Sequence, residues 1–289
     1  MRMARIFSYF LLLFLLSFAQ LSCHRQKMQE IVITPDIEKT HLQRNHIFGQ
    51  VKEIKQTVYA YAPTDTLKEN GQIVSQSIQH YSADGYLTAI ITLSEEGDTL
   101  SVRQVTYDGN ANELKWEERD PSGKLLESCI YEYDINHFKV GEKHYQNDSL
   151  ILHITYKTDG LGNAIEVTQK FDSYSLRNTV QYDEHGLVTR IDEFEPNGKP
   201  FKYITIEYDN YGDEVNRRVF KSGNDLIEYT FKEYDNEGRL LKKIFEDRRH
   251  DMQEVYTYSQ HDAQGNWTCE EITKLGNIAF QRIREIIYY

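Results

Sequence analysis

The chain has 289 residues, with 45 acidic against 33 basic side chains and a net charge of −12. That length is enough for one large or two ordinary domains. The acidic surplus repels phosphate backbones and anionic lipid, which argues against nucleic acid and against peripheral membrane binding. At the N-terminus, Arg2 and Arg5 precede an uncharged run of 14 residues, Ile6–Ala19. The run is too short to cross a bilayer comfortably and has the length of the apolar part of a secretory signal. No later segment approaches a spanning length.

The apolar run ends in "LSC" (Leu21–Cys23). This resembles the lipobox of bacterial lipoproteins, in which the cysteine is acylated and becomes the mature N-terminus. The resemblance implies a signal peptide over 1–22 and lipidation at Cys23, although Gln20 stands where the family usually has leucine. The competing cut follows Ala19 and would release a soluble periplasmic or secreted protein. With only Cys23, Cys129 and Cys269 in the chain, acylation of Cys23 leaves no exposed odd thiol near the N-terminus. Residues 23–48 are polar and read as a tether, with a short helix near Ile37–Leu42.

From residue 49 onward one phrase recurs: "QYDEHG", "EYDNYG", "EYDNEG". Its glycine slot falls at Gly85, Ala111, His137, Gly162, Gly186, Gly212, Gly238 and Gly265, in steps of 24 to 27 residues. A second set of turn signals lies midway, at Gly97, Gly123, Gly198 and their equivalents. Two turns and two short segments rich in Tyr, Phe, Thr, Val and Ile make each period a β-hairpin. The predicted fold is therefore all-β: tandem antiparallel hairpins in one long, twisted meander sheet, free to curl, over 49–289.

Within each period the Tyr column and the column two before it share a face, because strand residues alternate. The polar column between them faces water. In the turn, Asp accepts backbone N–H groups and Gly supplies a positive φ. The structural positions are Tyr182, Asp183 and Gly186; Tyr208, Asp209 and Gly212; Tyr234, Asp235 and Gly238; and Asp262 and Gly265. Tyr rings of neighbouring repeats are positioned to stack. Ala111, His137 and Thr158 break the pattern and predict a less regular middle.

These phrases, with the final "HDAQGNW" (His261–Trp267), look like the YD repeats of Rhs-type proteins, and the ends of the domain resemble those of small envelope lipoproteins carrying such repeats. The likeness covers roughly Gln72–Tyr289. It implies a lipid-anchored protein in the cell envelope of a Gram-negative-type bacterium, a membrane contact through the anchor only, and carbohydrate binding as a family association. Eight repeats are too few for the toxin shell of full Rhs proteins, and neither encapsulation nor toxicity carries over.

The ten histidines form no metalloprotease motif, and no nucleophile elbow or phosphate loop is present. "DNYGDE" (Asp209–Glu214) lacks the spacing of a calcium loop. No catalytic residue, metal or cofactor is assigned, and Cys129 and Cys269 lie too far apart along a meander to form a disulfide. The expected role is a non-enzymatic scaffold that binds an envelope protein or a glycan, with Trp267 as a candidate contact. A polysaccharide hydrolase using loop carboxylates and an immunity-type protein with one dedicated partner are the alternatives.

Overall fold

A computed structural model describes residues 40–45, 47–61, 71–236 and 238–289, with the side chain of Arg44 excepted. Cys23 and the signal segment lie outside the described residues. The short helix α1 (His41–Arg44) begins at Thr40, whose hydroxyl and Gln43 form a reciprocal capping box. Eighteen strands follow: β1 (Val51–Ala60), β2 (Gln72–Tyr81), β3 (Leu87–Leu93), β4 (Thr99–Tyr107), β5 (Glu113–Arg119), β6 (Leu125–Tyr133), β7 (Lys139–Gln146), β8 (Ser149–Thr158) and β9 (Ala164–Lys170). The series continues with β10 (Ser175–Tyr182), β11 (Val188–Phe194), β12 (Pro200–Tyr208), β13 (Glu214–Lys221), β14 (Asp225–Tyr234), β15 (Leu240–Asp247), β16 (Met252–His261), β17 (Trp267–Lys274) and β18 (Asn277–Tyr288).

Each strand pairs antiparallel with the next, and β1 pairs with both β2 and β18. The sheet is thus a closed barrel, not the open or curled meander expected from sequence. The seam is well tied. The Tyr289 amide donates to the Gln50 carbonyl at 3.0 Å, and its hydroxyl to the Tyr81 carbonyl at 2.5 Å. Closure still leaves the two cysteines apart. They lie on β6 and β17, seven strand spacings the short way round, or roughly 34 Å along the wall. Both are free and buried.

The turns are built as the residues require. Asp183 Oδ1 accepts the amides of His185 and Leu187 at 2.9 and 2.8 Å, and Asp209 those of Tyr211 and Asp213 at 2.9 and 3.0 Å. Asp262 accepts from Gln264 and Asn266, and Asp235 from Arg239. Asp209 Oδ1 thus closes its own turn, as an ordinary turn residue does. The middle repeats are regular after all. Ala111 and His137, both at φ 64°, adopt the left-handed conformation of the glycines they replace, at about 1–2 kcal/mol each.

The tyrosine column links neighbouring hairpins through its hydroxyls. Tyr107, Tyr133, Tyr182 and Tyr208 donate to the carbonyls of Leu87, Glu113, Ala164 and Val188, at 2.6, 2.9, 2.9 and 2.9 Å. Tyr234 does the same to Glu214 at 3.2 Å. Each acceptor opens the strand after the previous repeat's turn, beside a register shift in the ladder. Ring stacking was the sequence expectation; the contact that recurs is this phenol-to-carbonyl bond. Thr158 is too short to make it. Tyr208→Phe is expected to destabilise the protein by about 1 kcal/mol in urea unfolding, while Tyr211→Phe, at an 86% exposed turn position, leaves the midpoint unchanged.

One face of the strands is buried. In β8, Leu152, Ile154 and Tyr156 are buried while Thr155 and Lys157 are exposed, and Val180, Val188, Ile191, Ile204 and Ile206 continue the inward wall. The described part of the segment read as a tether packs on the barrel: Leu42 is buried with Val51, Ile54 and Tyr81. Its amide donates to the Gly85 carbonyl.

Candidate functional site

Three groups of side chains outside the turns bear on function. The first is inward. Trp267 opens β17 with its ring under the Arg284 guanidinium, 3.5 Å from the centroid, and tilted against Tyr258 at 5.2 Å. Arg284 also donates through Nε to Gln56 at 3.3 Å. Burial and the neighbouring Arg282 lower its pKa to about 10. One face of Trp267 is therefore already occupied within the barrel wall.

The second group lies on β6, β7 and β8. The pairing sets Cys129 opposite His144 and Tyr131 opposite Glu142. Glu142 is buried, and its Oε1 accepts from Lys139 Nζ at 2.6 Å and from the Tyr156 hydroxyl at 2.7 Å. Its Oε2 accepts from His144 Nε2 at 3.0 Å. Burial opposes ionisation here, but Lys139, His144 and Tyr156 outweigh it and hold the carboxyl at about 2. Cys129 Sγ is 3.7 Å from the same His144 Nε2. Burial and the Glu142 charge push the thiol far above its usual range. A Cys–His–carboxylate relay needs the imidazole to bridge thiol and carboxylate through its two different nitrogens. Here both contacts fall on Nε2 and the thiol stays protonated, so the cluster is not a nucleophilic triad.

A search for metalloprotease motifs passes over this cluster. The signal was present: Glu142 and His144 are two apart and so share a strand face. Counting back from the turn at Asp134 sets them opposite Tyr131 and Cys129.

The third group is on the outer wall of β10 to β14. Tyr203 lies between Arg190, 4.1 Å over its ring, and Phe220, stacked at 4.8 Å with 15° between planes. Arg177 covers Phe194 at 4.2 Å and Arg218 covers Tyr229 at 5.7 Å. Phe201 stands 46% exposed beside them. Elsewhere the same wall carries Lys115, Glu117 and Arg119 on β5 and the pair Arg177–Glu166. A lipid-facing barrel surface is an apolar band of about 25 Å; charges at mid-strand interrupt this one.

Among described residues with a shifted glutamate or aspartate, Glu193 alone rises, because it is buried, with Lys202 3.2 Å away acting in opposition. Lys202 Nζ stands against Glu193 Oε1, so the carboxyl is already engaged within the barrel.

Fold and side chains together define an all-β barrel of hairpin repeats. No family model matches the chain, and no curated protein does. Among solved structures, it is similar to a chain of the TcdB2-TccC3-Cdc42 complex at 15% identity, covering 75% of this chain and 15% of that one, with a TM-score of 0.38. It is similar to a chain of the Photorhabdus luminescens Tc holotoxin pore at 15% identity, covering 80% and 16%, with a TM-score of 0.37. A porin-like protein from Bacteroides uniformis is 14% identical, covering 83% of this chain and 98% of that one, with a TM-score of 0.45. The chain thus spans about a sixth of the length of the Tc toxin chains it matches.

Proposed function

We propose that the protein is a non-enzymatic scaffold of the cell envelope, tethered through an acylated Cys23, that binds another envelope protein on the outer wall of β10 to β14. The observation that carries this reading is the Arg–Tyr–Phe layer around Tyr203. Tyr, Phe and Arg are the side chains enriched where proteins meet. A sugar ring stacks on an open aromatic face, and both faces of Tyr203 are covered, so a protein partner fits this wall better than a glycan. The arginines are matched locally by Asp192, Glu207 and Glu166, so the patch is close to neutral and contributes through packing more than through charge.

The test is photo-crosslinking in cells with a reactive residue in place of Phe201, alongside a control in place of Lys115 on β5. An adduct to one envelope protein from position 201 and none from 115 is the expected result. Equal yields from both positions, or no adduct together with binding on a glycan array, would overturn it. Mass spectrometry of the mature N-terminus decides the anchor: a diacylated Cys23 is expected, and a free Gln20 would reject it.

A further inference from the structure

We infer that Cys129, Glu142 and His144 form a binding site for a divalent transition metal of the zinc class. One ligand atom from each residue lies within 4.8 Å of the other two. Cys, His and Glu are zinc donors, and three protein ligands with one open position is a recurrent zinc arrangement. A tetrahedron built on metal–ligand bonds of about 2.0–2.3 Å has edges of about 3.3–3.6 Å. The two edges at His144 Nε2, to Glu142 Oε2 and to Cys129 Sγ, are 3.0 and 3.7 Å and bracket that value. The third, between Cys129 and Glu142, is within 4.8 Å, so binding draws thiol and carboxylate together by up to about 1 Å.

The surroundings are those of a supported site. Glu142 divides its oxygens: Oε1 is held by Lys139 and Tyr156 while Oε2 points to His144. A cation between Oε2, Nε2 and Sγ leaves the Oε1 contacts intact, and these orient the carboxylate as outer-shell partners do. The Trp116 ring packs edgewise on His144 at 6.5 Å. Two of the three residues are on β7 and the third is directly opposite on β6, so the ladder fixes the donors before any metal arrives. The Lys139 charge opposes a cation; the thiolate formed on binding offsets it.

The proton balance is defined. The Cys129 thiol gives up its proton to solvent as the metal–sulfur bond forms. In the neutral imidazole form, His144 moves its Nε2 proton to Nδ1, which frees Nε2 to coordinate. One proton is therefore released per metal bound.

The experiment uses the reduced, chelator-stripped full chain titrated with Co²⁺. One equivalent should bind with a thiolate-to-cobalt charge-transfer band that is lost in Cys129→Ala and kept in Cys269→Ala. No band in the wild type, or a band surviving in Cys129→Ala, would overturn the inference. Calorimetry of Zn²⁺ binding to the unmutated chain in two buffers of different ionisation enthalpy serves if the Cys129 variant does not fold. Release of one proton per zinc is expected, and zero release or no binding rejects the site.

Discussion

Replacing Glu142 with alanine, in the presence of a chelator, should lower the unfolding free energy by about 3 kcal/mol, because removing one partner of a buried ion pair leaves the others uncompensated. The side chain is 4% exposed and accepts from Lys139, Tyr156 and His144. Its loss strands a buried tyrosine hydroxyl and an ammonium. The effect falls at the low end for such pairs because Lys139 is 30% exposed and can turn toward water. Glu132→Ala is the matched comparison. Its partner Lys143 is on the same strand as Glu142, but that pair is 34% and 40% exposed, and exposed pairs contribute about 0–1 kcal/mol. Urea titrations giving equal losses for the two variants would show that burial is not what makes the Glu142 network matter.

Gly162→Ala should be the most damaging glycine substitution of the turn set, at about 3 kcal/mol, the sum of left-handed strain and overpacking. Gly162 has φ +87°, and a Cβ there would lie 2.4 Å from the Phe138 ring of the preceding repeat. Gly186 has nearly the same conformation, at φ +79°, with nothing within 4 Å of its Cβ position, so Gly186→Ala should cost only about 1 kcal/mol. Thermal unfolding of the two variants separates conformation from contact. A double change, Gly162→Ala with Phe138→Leu, should recover part of the larger loss.

The hairpins, their turns and the buried face were legible in the sequence because each is local. An Asp with its acceptor two and four residues before the amides it binds, and a residue at positive φ, specify a reversal within six positions. That Ala111 and His137 fold like glycine shows the aspartate and the flanking strands overriding one unfavourable residue. Closure was not legible. It depends on β1, which carries no Tyr–Asp phrase, pairing at once with its neighbour β2 and with β18, where Ile54 meets Ile286. Whether those strands meet is set by twist summed over the whole sheet, which no short window contains. The Glu142 cluster lies between these cases. Its register follows from the Asp134 turn, but the ion pair and thiol contact depend on which rotamers the inward wall permits.

Joining β1 to β18 has a consequence for recognition. Every described strand has a hydrogen-bonded neighbour on both sides, so among the described residues the sheet offers no free margin along which a partner could lay a peptide. What the wall of the barrel recognises it must read through side chains, and the same sealing protects a tyrosine-rich sheet from zipping onto its own copies.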